Sequence, residues 1–140
     1  MQYTGQGLEL TSGVLIEVSS SRAWIVRARS EIFPLENTKD FYRVWLLLEC
    51  PFGDVENALS RLATEHSAQT KFPLREVVAS AFLSKSRQWT ERAMEWVPFF
   101  SIEERAFLRD DLTDVASSDW ASQRVRQLAT KYVNELRRTE

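Results

Sequence analysis

A long apolar stretch bounded by two prolines constrains this chain more than any other feature. Between Pro73 and Pro98, hydrophobic side chains recur at helical spacing. Proline suits the first position of a helix, where its missing N–H would have no partner, and it stops a helix that reaches it. The apolar stripe is wide, so we predict that it packs on more than one side and lies at the centre of the fold. The residues at this helical spacing are Val78, Phe82, Lys85, Trp89, Ala93, Trp96 and Val97, with Leu74, Val77 and Ala81 beside them.

Small hydroxyl side chains interrupt this stripe near its middle. Ser84, Ser86 and Thr90 break the apolar pattern, and Thr90 is a suitable N-cap because its hydroxyl can accept a free backbone N–H. The sequence therefore leaves two possibilities open. Residues 74–97 form either one long helix or two shorter helices with a bend between them.

The N-terminal part has the composition of a β-hairpin. The runs 14–18 and 23–27 are rich in β-branched and aromatic residues, and the serines at 19–21 between them are typical of a turn. One face of this hairpin is apolar. The other carries Glu17 and Arg27, so we expect it to face outward or to meet a partner. Residues 8–10 are compatible with a short edge strand or with a frayed terminus.

Residues 41–50 fit both a strand and a helix. As a helix, the segment would begin at Asp40 and bury Phe41, Val44, Trp45 and Leu48 on one face. The strand is favoured because Pro51 and Gly53 stop the run at strand length and because aromatic and β-branched residues are frequent in it. With the hairpin, this strand predicts a three-stranded antiparallel sheet, the smallest sheet expected to persist in water.

Helical periodicity dominates after residue 50. The pattern predicts a helix from Asp54 to His66, and the capping-box sequence 101–104 (Ser-Ile-Glu-Glu) predicts another to about Ala116. A last helix, capped by Ser117 or Ser118, has the cleanest apolar period. In the capping-box helix we expect four buried side chains: Ile102, Leu108, Leu112 and Val115.

Strands followed by helices predict an α+β fold. We expect a small three-stranded antiparallel N-terminal sheet followed by a four- to five-helix layer or bundle. No long or low-complexity linker divides the 140 residues, so one domain is predicted, with a β-rich half at 1–50 and a helical half at 51–140.

Charge and composition limit the function classes. The formal charge of −2 creates no general attraction to nucleic acid or to anionic membranes. No apolar run approaches the ~20 residues that a membrane-spanning helix needs, and the N-terminus lacks the features of a signal peptide. The single cysteine makes an internal disulfide impossible. We expect a soluble cytoplasmic protein without membrane contact.

No motif that carries catalysis is present. Cys50 and His66 are the only cysteine and histidine, and a reactive pair would require them to meet, which nothing in the sequence indicates. Asp110 and Asp114 could share a divalent cation on one helix face, but this spacing is also common on solvated faces. Phosphate-binding glycine loops are missing. We predict no catalytic residue, no metal and no cofactor.

The strongest functional signal is a surplus of aromatic and charged residues that suits contact with another protein. Five tryptophans are many for this length, and aromatic residues and arginine dominate interface hot spots. We expect the outer sheet face or the acidic surface of residues 101–119 to bind a partner, with one or two exposed indoles contributing. The predicted partner-binding residues are Trp45, Trp120, Arg27, Arg43, Asp110, Asp111 and Asp114.

These features predict a non-enzymatic protein–protein interaction module, of the kind found among immunity proteins, antitoxins, inhibitors and assembly adaptors. The partner would be another protein or a second copy of the chain. The alternative is a nucleic-acid-binding accessory protein, in which arginines neutralise phosphates and aromatic rings stack on bases.

Overall fold

The computed structural model describes residues 1–139, which form an α+β fold with the sheet in the N-terminal part of the chain. The predicted fold class is confirmed. The chain divides into two compact units, Met1–Leu74 and Arg75–Glu140. That the 140 residues act as a single domain stays a prediction.

The sheet of the first unit is an antiparallel meander of five strands, where three were predicted. The predicted hairpin is present as β3 and β4, with Ile16 opposite Val26. Two further strands precede it, and a fifth follows it after a tight turn. In chain order, which is also the order in the sheet, the strands are β1 Gln2–Tyr3, β2 Leu8–Thr11, β3 Val14–Val18, β4 Trp24–Ala28 and β5 Glu31–Pro34.

The strand predicted at 41–50 is wrong. Thr38–Glu49 is a 3-10 helical segment with a break at Val44 (φ −116°, ψ 15°). Its N-terminus is held by Asp40, whose carboxylate accepts the backbone N–H of Asn37 at 2.9 Å. Phe41, Val44 and Leu47 are buried, and a spacing of three residues matches the three residues per turn of a 3-10 helix.

Aromatic side chains form the core of the first unit. Phe72 makes edge-to-face contacts with Trp24 and Phe41, with ring centroids 5.0 and 5.9 Å apart. The indole N–H of Trp24 donates to the carbonyl oxygen of Thr70 at 2.9 Å, so its polar atom is satisfied inside the core. The helix α1, Phe52–Glu65, contacts β2 and β3. It begins after Pro51, so Asp54, where the helix was predicted to start, lies in its first turn instead.

The short strand β1 is tied to α1 by a polar cluster. The Tyr3 hydroxyl donates to the carboxylate of Glu65, which also accepts from Nε of Arg61 at 2.9 Å. The Arg61 guanidinium lies 4.2 Å from the centre of the Tyr3 ring. The hydrogen bond from Tyr3, followed by that from Arg61, lowers the pKa of the Glu65 carboxyl.

The second unit is helical and is organised around its last helix. Its helices are α2 Leu74–Leu83, α3 Arg87–Met94, α4 Ile102–Phe107, α5 Arg109–Ala116 and α6 Gln123–Arg138, with a short 3-10 turn at Val97–Phe99. The helices α3, α4 and α5 all contact α6. The side of α6 that they cover carries Val125, Ala129, Tyr132, Val133 and Leu136, all buried.

The central apolar stretch bends into two helices, α2 and α3. The hydroxyl of Ser86 accepts the backbone N–H of Trp89 at 3.2 Å and caps α3. Lys85, just before this cap, has a left-handed backbone (φ 60°). Thr90, the expected cap, is fully buried, and its hydroxyl donates to the carbonyl oxygen of Ala81 at 3.3 Å. Two hydroxyls at the start of α3 therefore stabilise the bend: that of Ser86 caps α3, and that of Thr90 ties α3 to α2.

The remaining helix boundaries differ from the prediction in two places. The capping box at Ser101 is present, but the helix breaks at Leu108, and Ile102, expected in the core, is 49% exposed. The last helix is capped by Ser122. The predicted caps Ser117 and Ser118 instead donate to carbonyl oxygens of Thr113 and Val115, so they end α5. None of the helices formed by residues 1–139 combines the length and apolar character that crossing a bilayer requires.

We expect Gly7→Ala to lower the free energy of unfolding by about 2 kcal/mol, the size typical of overpacking. A Cβ at this position would lie 2.5 Å from the Ile16 carbonyl oxygen and 2.9 Å from Cγ of Glu17, and the backbone atom cannot move without disturbing β3. Urea unfolding measures the change. Gly5→Ala is the matched control, because a Cβ there meets nothing within 4 Å. Equal stabilities of the two variants would contradict the close approach.

Candidate functional site

The second unit contains a cleft of about 480 Å³ between the end of α2, the second half of α5 and the connection that leads to α6. We call it the Trp120 cleft. A cavity of this size can accept one or two side chains of a partner or a small ligand. The residues that line it are Phe82, Leu83, Lys85, Asp111, Asp114, Val115, Ser117, Ser118, Asp119 and Trp120.

Apolar side chains form the floor and part of the wall of the Trp120 cleft. Phe82 and Val115 are buried, whereas Leu83 is 59% exposed and Trp120 is partly exposed. Leu83 is the last residue of α2. Soon after it, the left-handed backbone of Lys85 turns the chain away. Leu83, just before this turn, and Trp120 both line the cleft and both contact water.

Carboxylates supply most of the charge in the Trp120 cleft. Asp111 and Asp114 lie one turn apart on α5, and Asp119 follows in the connection. Lys85 is the one basic residue of the lining. With all four groups ionised, the lining carries a net charge of −2. The cleft therefore attracts cations and repels anions near its apolar floor.

Asp111 is the most perturbed group of the cleft. Its partial burial raises the pKa of its carboxyl from 3.8 to about 6, and the neighbouring carboxylates of Asp114, Asp110 and Glu76 add to the increase. Burial disfavours the charged form, and like charges disfavour it further. The charge of the cleft therefore changes close to neutral pH, where ordinary carboxyl groups stay ionised.

The structure brings together three of the seven residues predicted to bind a partner. Asp111, Asp114 and Trp120 all line the Trp120 cleft. Asp110 is exposed on the same helix but outside the lining. The other three predicted residues, Trp45, Arg27 and Arg43, belong to the first unit.

The residues of the first unit do not form the predicted sheet face, because 38–49 is helical. The Arg43 guanidinium lies 3.5 Å from the centre of the Phe33 ring and 4.9 Å from that of Tyr42. Trp45 contacts Tyr42 edge to face, with centroids 6.3 Å apart. These four side chains are called the Arg43 cluster.

Arg27 lies on the sheet and already has a partner. Its Nε donates to the carboxylate of Glu17 at 2.9 Å, and Glu17 is only 5% exposed. The sheet face that was expected to point outward therefore carries a largely buried ion pair. Because Arg27 neutralises Glu17, less of the charge of Arg27 and fewer of its N–H groups are available to a phosphate or to a carboxylate of a partner.

The cysteine and the histidine have separate surroundings. The Cys50 thiol is 4.0 Å from the carbonyl oxygen of Leu46, and Nε2 of His66 is 3.2 Å from that of Gly5. Among residues 1–139, no group of three or more histidine, cysteine, aspartate or glutamate side chains is arranged to hold a metal ion.

Sequence reasoning missed Leu83, Lys85 and Asp119. Leu83 has the apolar character of the central stripe, so it was not separable from core residues. The only available signal was its position directly before the polar run 84–86, which marks the end of a helix. Lys85 gives no sign of a left-handed backbone, because glycine or asparagine is the usual residue there.

Comparisons with known protein families, with curated proteins and with solved structures found no match. The features of this chain that bear on function are the shape, the charge and the exposed apolar surface of the Trp120 cleft. All the side chains that line the cleft belong to the second unit.

We expect Asp111→Asn to raise the free energy of unfolding at neutral pH. Because the folded-state pKa of Asp111 is about 6 against 3.8 in the unfolded chain, its stabilising contribution is present below about pH 4 and is lost as the pH rises through 6. The difference corresponds to at most about 3 kcal/mol, which solvent around the half-buried group reduces to about 1 kcal/mol.

Urea unfolding of the Asp111→Asn variant at neutral pH and near pH 4 checks this prediction. The gain should be present at neutral pH and should shrink as the pH is lowered. Asp110→Asn is the control, because it removes the same charge from an exposed position of the same helix. A gain that does not depend on pH, or one that Asp110→Asn reproduces, would contradict the assignment.

Proposed function

We propose that this chain is a non-enzymatic protein-binding module whose partner inserts side chains into the Trp120 cleft. The observation that carries the proposal is that the exposed Leu83 and the partly exposed Trp120 line the same cleft as the buried Phe82 and Val115. Apolar and aromatic groups around a concave surface provide most of the free energy at interface hot spots.

The chemistry of the cleft supports binding over catalysis. Its ionisable groups are three carboxylates and Lys85, whereas the chain's thiol and imidazole belong to the first unit. Asp111 and Asp114 are on the same helix, and Leu83 and Trp120 leave the cleft open to a large ligand. A polar rim around an apolar floor is the usual anatomy of a protein interface.

The biological role that fits this mode of action is that of a small protein that acts by contact. Immunity proteins, antitoxins, inhibitors and assembly adaptors all work in this way. The proposal assigns the contact to the Trp120 cleft and leaves the Arg43 cluster as a second surface.

We expect Trp120→Ala to reduce capture of the partner by at least about tenfold, because loss of a hot-spot aromatic costs about 2 kcal/mol or more. The measurement is affinity capture by the tagged chain from its own cells, quantified by mass spectrometry. Phe99→Ala is the matched control, since Phe99 is also an exposed aromatic residue of the second unit but does not line the cleft.

Capture of every partner by both Trp120→Ala and Leu83→Ser would contradict the proposal. Circular dichroism of each variant shows that it is folded, so a loss of capture reports on the surface. If Trp45→Ala abolishes capture and Trp120→Ala does not, the Arg43 cluster is the interface.

The Arg43 cluster favours a second candidate function, binding of single-stranded nucleic acid. A guanidinium beside Phe33, Tyr42 and Trp45 resembles surfaces on which bases stack and phosphates are neutralised. Two observations weigh against it: the net charge of −2 and the ion pair that engages Arg27. We keep this function as the alternative.

Fluorescence anisotropy with a labelled single-stranded oligonucleotide separates the two functions. We expect no binding at low salt. Binding that weakens steeply as salt increases, and that Arg43→Ala reduces, would instead favour the nucleic-acid function. Arg22→Ala is the control, because Arg22 is an exposed arginine of the same unit outside the Arg43 cluster.

A further inference from the structure

We infer that the Trp120 cleft binds a peptide segment that presents a basic side chain and an apolar side chain close together. The inference rests on the proposed function and adds the chemistry of the partner. Three sets of observations carry it: the charges of the lining, the apolar surfaces beside them, and the charged groups that face Asp111.

The charges of the lining select a cationic side chain. Asp114 and Asp119 are exposed at the rim, and Asp111 is half-buried below them. An arginine that reaches into the cleft can donate to two carboxylates at once, because its planar guanidinium carries five N–H donors. A carboxylate or phosphate in the same place would meet three negative charges against one Lys85.

The apolar surfaces select the neighbouring side chain. Leu83 and Trp120 line the same cleft as the carboxylates, so a ligand that brings only charge would leave both in water. An aliphatic or aromatic side chain beside the basic one would cover them and contact the floor at Phe82. The indole face of Trp120 also attracts a guanidinium.

The surroundings of Asp111 make binding dependent on pH. Asp110 and Asp114 of the same helix and Glu76 of α2 are the negative charges near Asp111. Lys85 and Asp119 are the other charged residues of the cleft lining. A bound cation favours the ionised form of Asp111, so the affinity falls when this carboxyl takes up a proton near pH 6.

Fluorescence anisotropy with three labelled peptides tests the inference on the full chain. The probe is Gly-Ala-Arg-Leu-Arg-Ala-Gly. In the first control peptide glutamate replaces both arginines, and in the second serine replaces leucine. We expect the probe to bind at least about tenfold more tightly than either control. Because arginine does not titrate, weaker binding of the probe below about pH 6 reports on the protein.

Variants of the chain locate the bound probe. Asp114→Asn and Trp120→Ala should each weaken binding by about tenfold, whereas Asp110→Asn, on the same helix outside the lining, should leave it within about twofold. Asp111→Asn should remove the pH dependence. All of these variants are compared by circular dichroism, so loss of structure is distinguished from loss of the site.

The outcomes separate the inference from the proposed function. The inference is overturned if the glutamate peptide binds as well as the probe, if Trp120→Ala and Asp114→Asn leave binding unchanged, or if no peptide binds while Trp120→Ala still abolishes capture of a protein partner. In the last case the proposed function stands and the partner has another chemistry. If Trp120→Ala changes neither partner capture nor peptide binding, the inference and the proposed function are both wrong.

Discussion

Covering the apolar side of α6 is the constraint on which the second unit depends. An amphipathic helix of sixteen residues is stable in water only when its apolar side is packed. Here α3, α4 and α5 provide that packing. Because Leu112 and Val115 of α5 are buried, its orientation is fixed. Asp111, four residues before Val115, then lies half-buried at the edge of the packed side, and Asp114 is exposed. The positions of the charged groups in the Trp120 cleft therefore follow from how α5 packs against α6.

Local signals in the sequence were enough to predict several elements. The hairpin of β3 and β4 follows from β-branched runs with serines between them, and the capping box at Ser101 follows from one hydroxyl and one carboxylate three residues apart. Both depend on interactions between neighbours in the chain. The number of strands was not predictable in the same way, because β1 and β5 are short and are stabilised by pairing with strands already in the sheet.

The segment 38–49 shows why a pattern can mislead. Its buried residues, Phe41, Val44, Leu47 and Leu48, do not alternate as in a strand, and three of them belong to the face predicted for the helix alternative. The aromatic content favoured the wrong choice. For the site, the sequence identified Trp120, Asp111 and Asp114, whose residue types carry the signal by themselves. It could not show that Leu83 joins them, because that depends on where α2 ends and on packing between segments far apart in the chain.

The two edges of the meander have a consequence for how this protein can associate. A partner that extends a sheet needs a row of unpaired backbone groups on an outer strand. Here one outer strand, Gln2–Tyr3, has two residues, and the other, Glu31–Pro34, begins with a charge and ends with a residue that has no N–H to donate. Both edges discourage intermolecular strand addition and the aggregation that accompanies it.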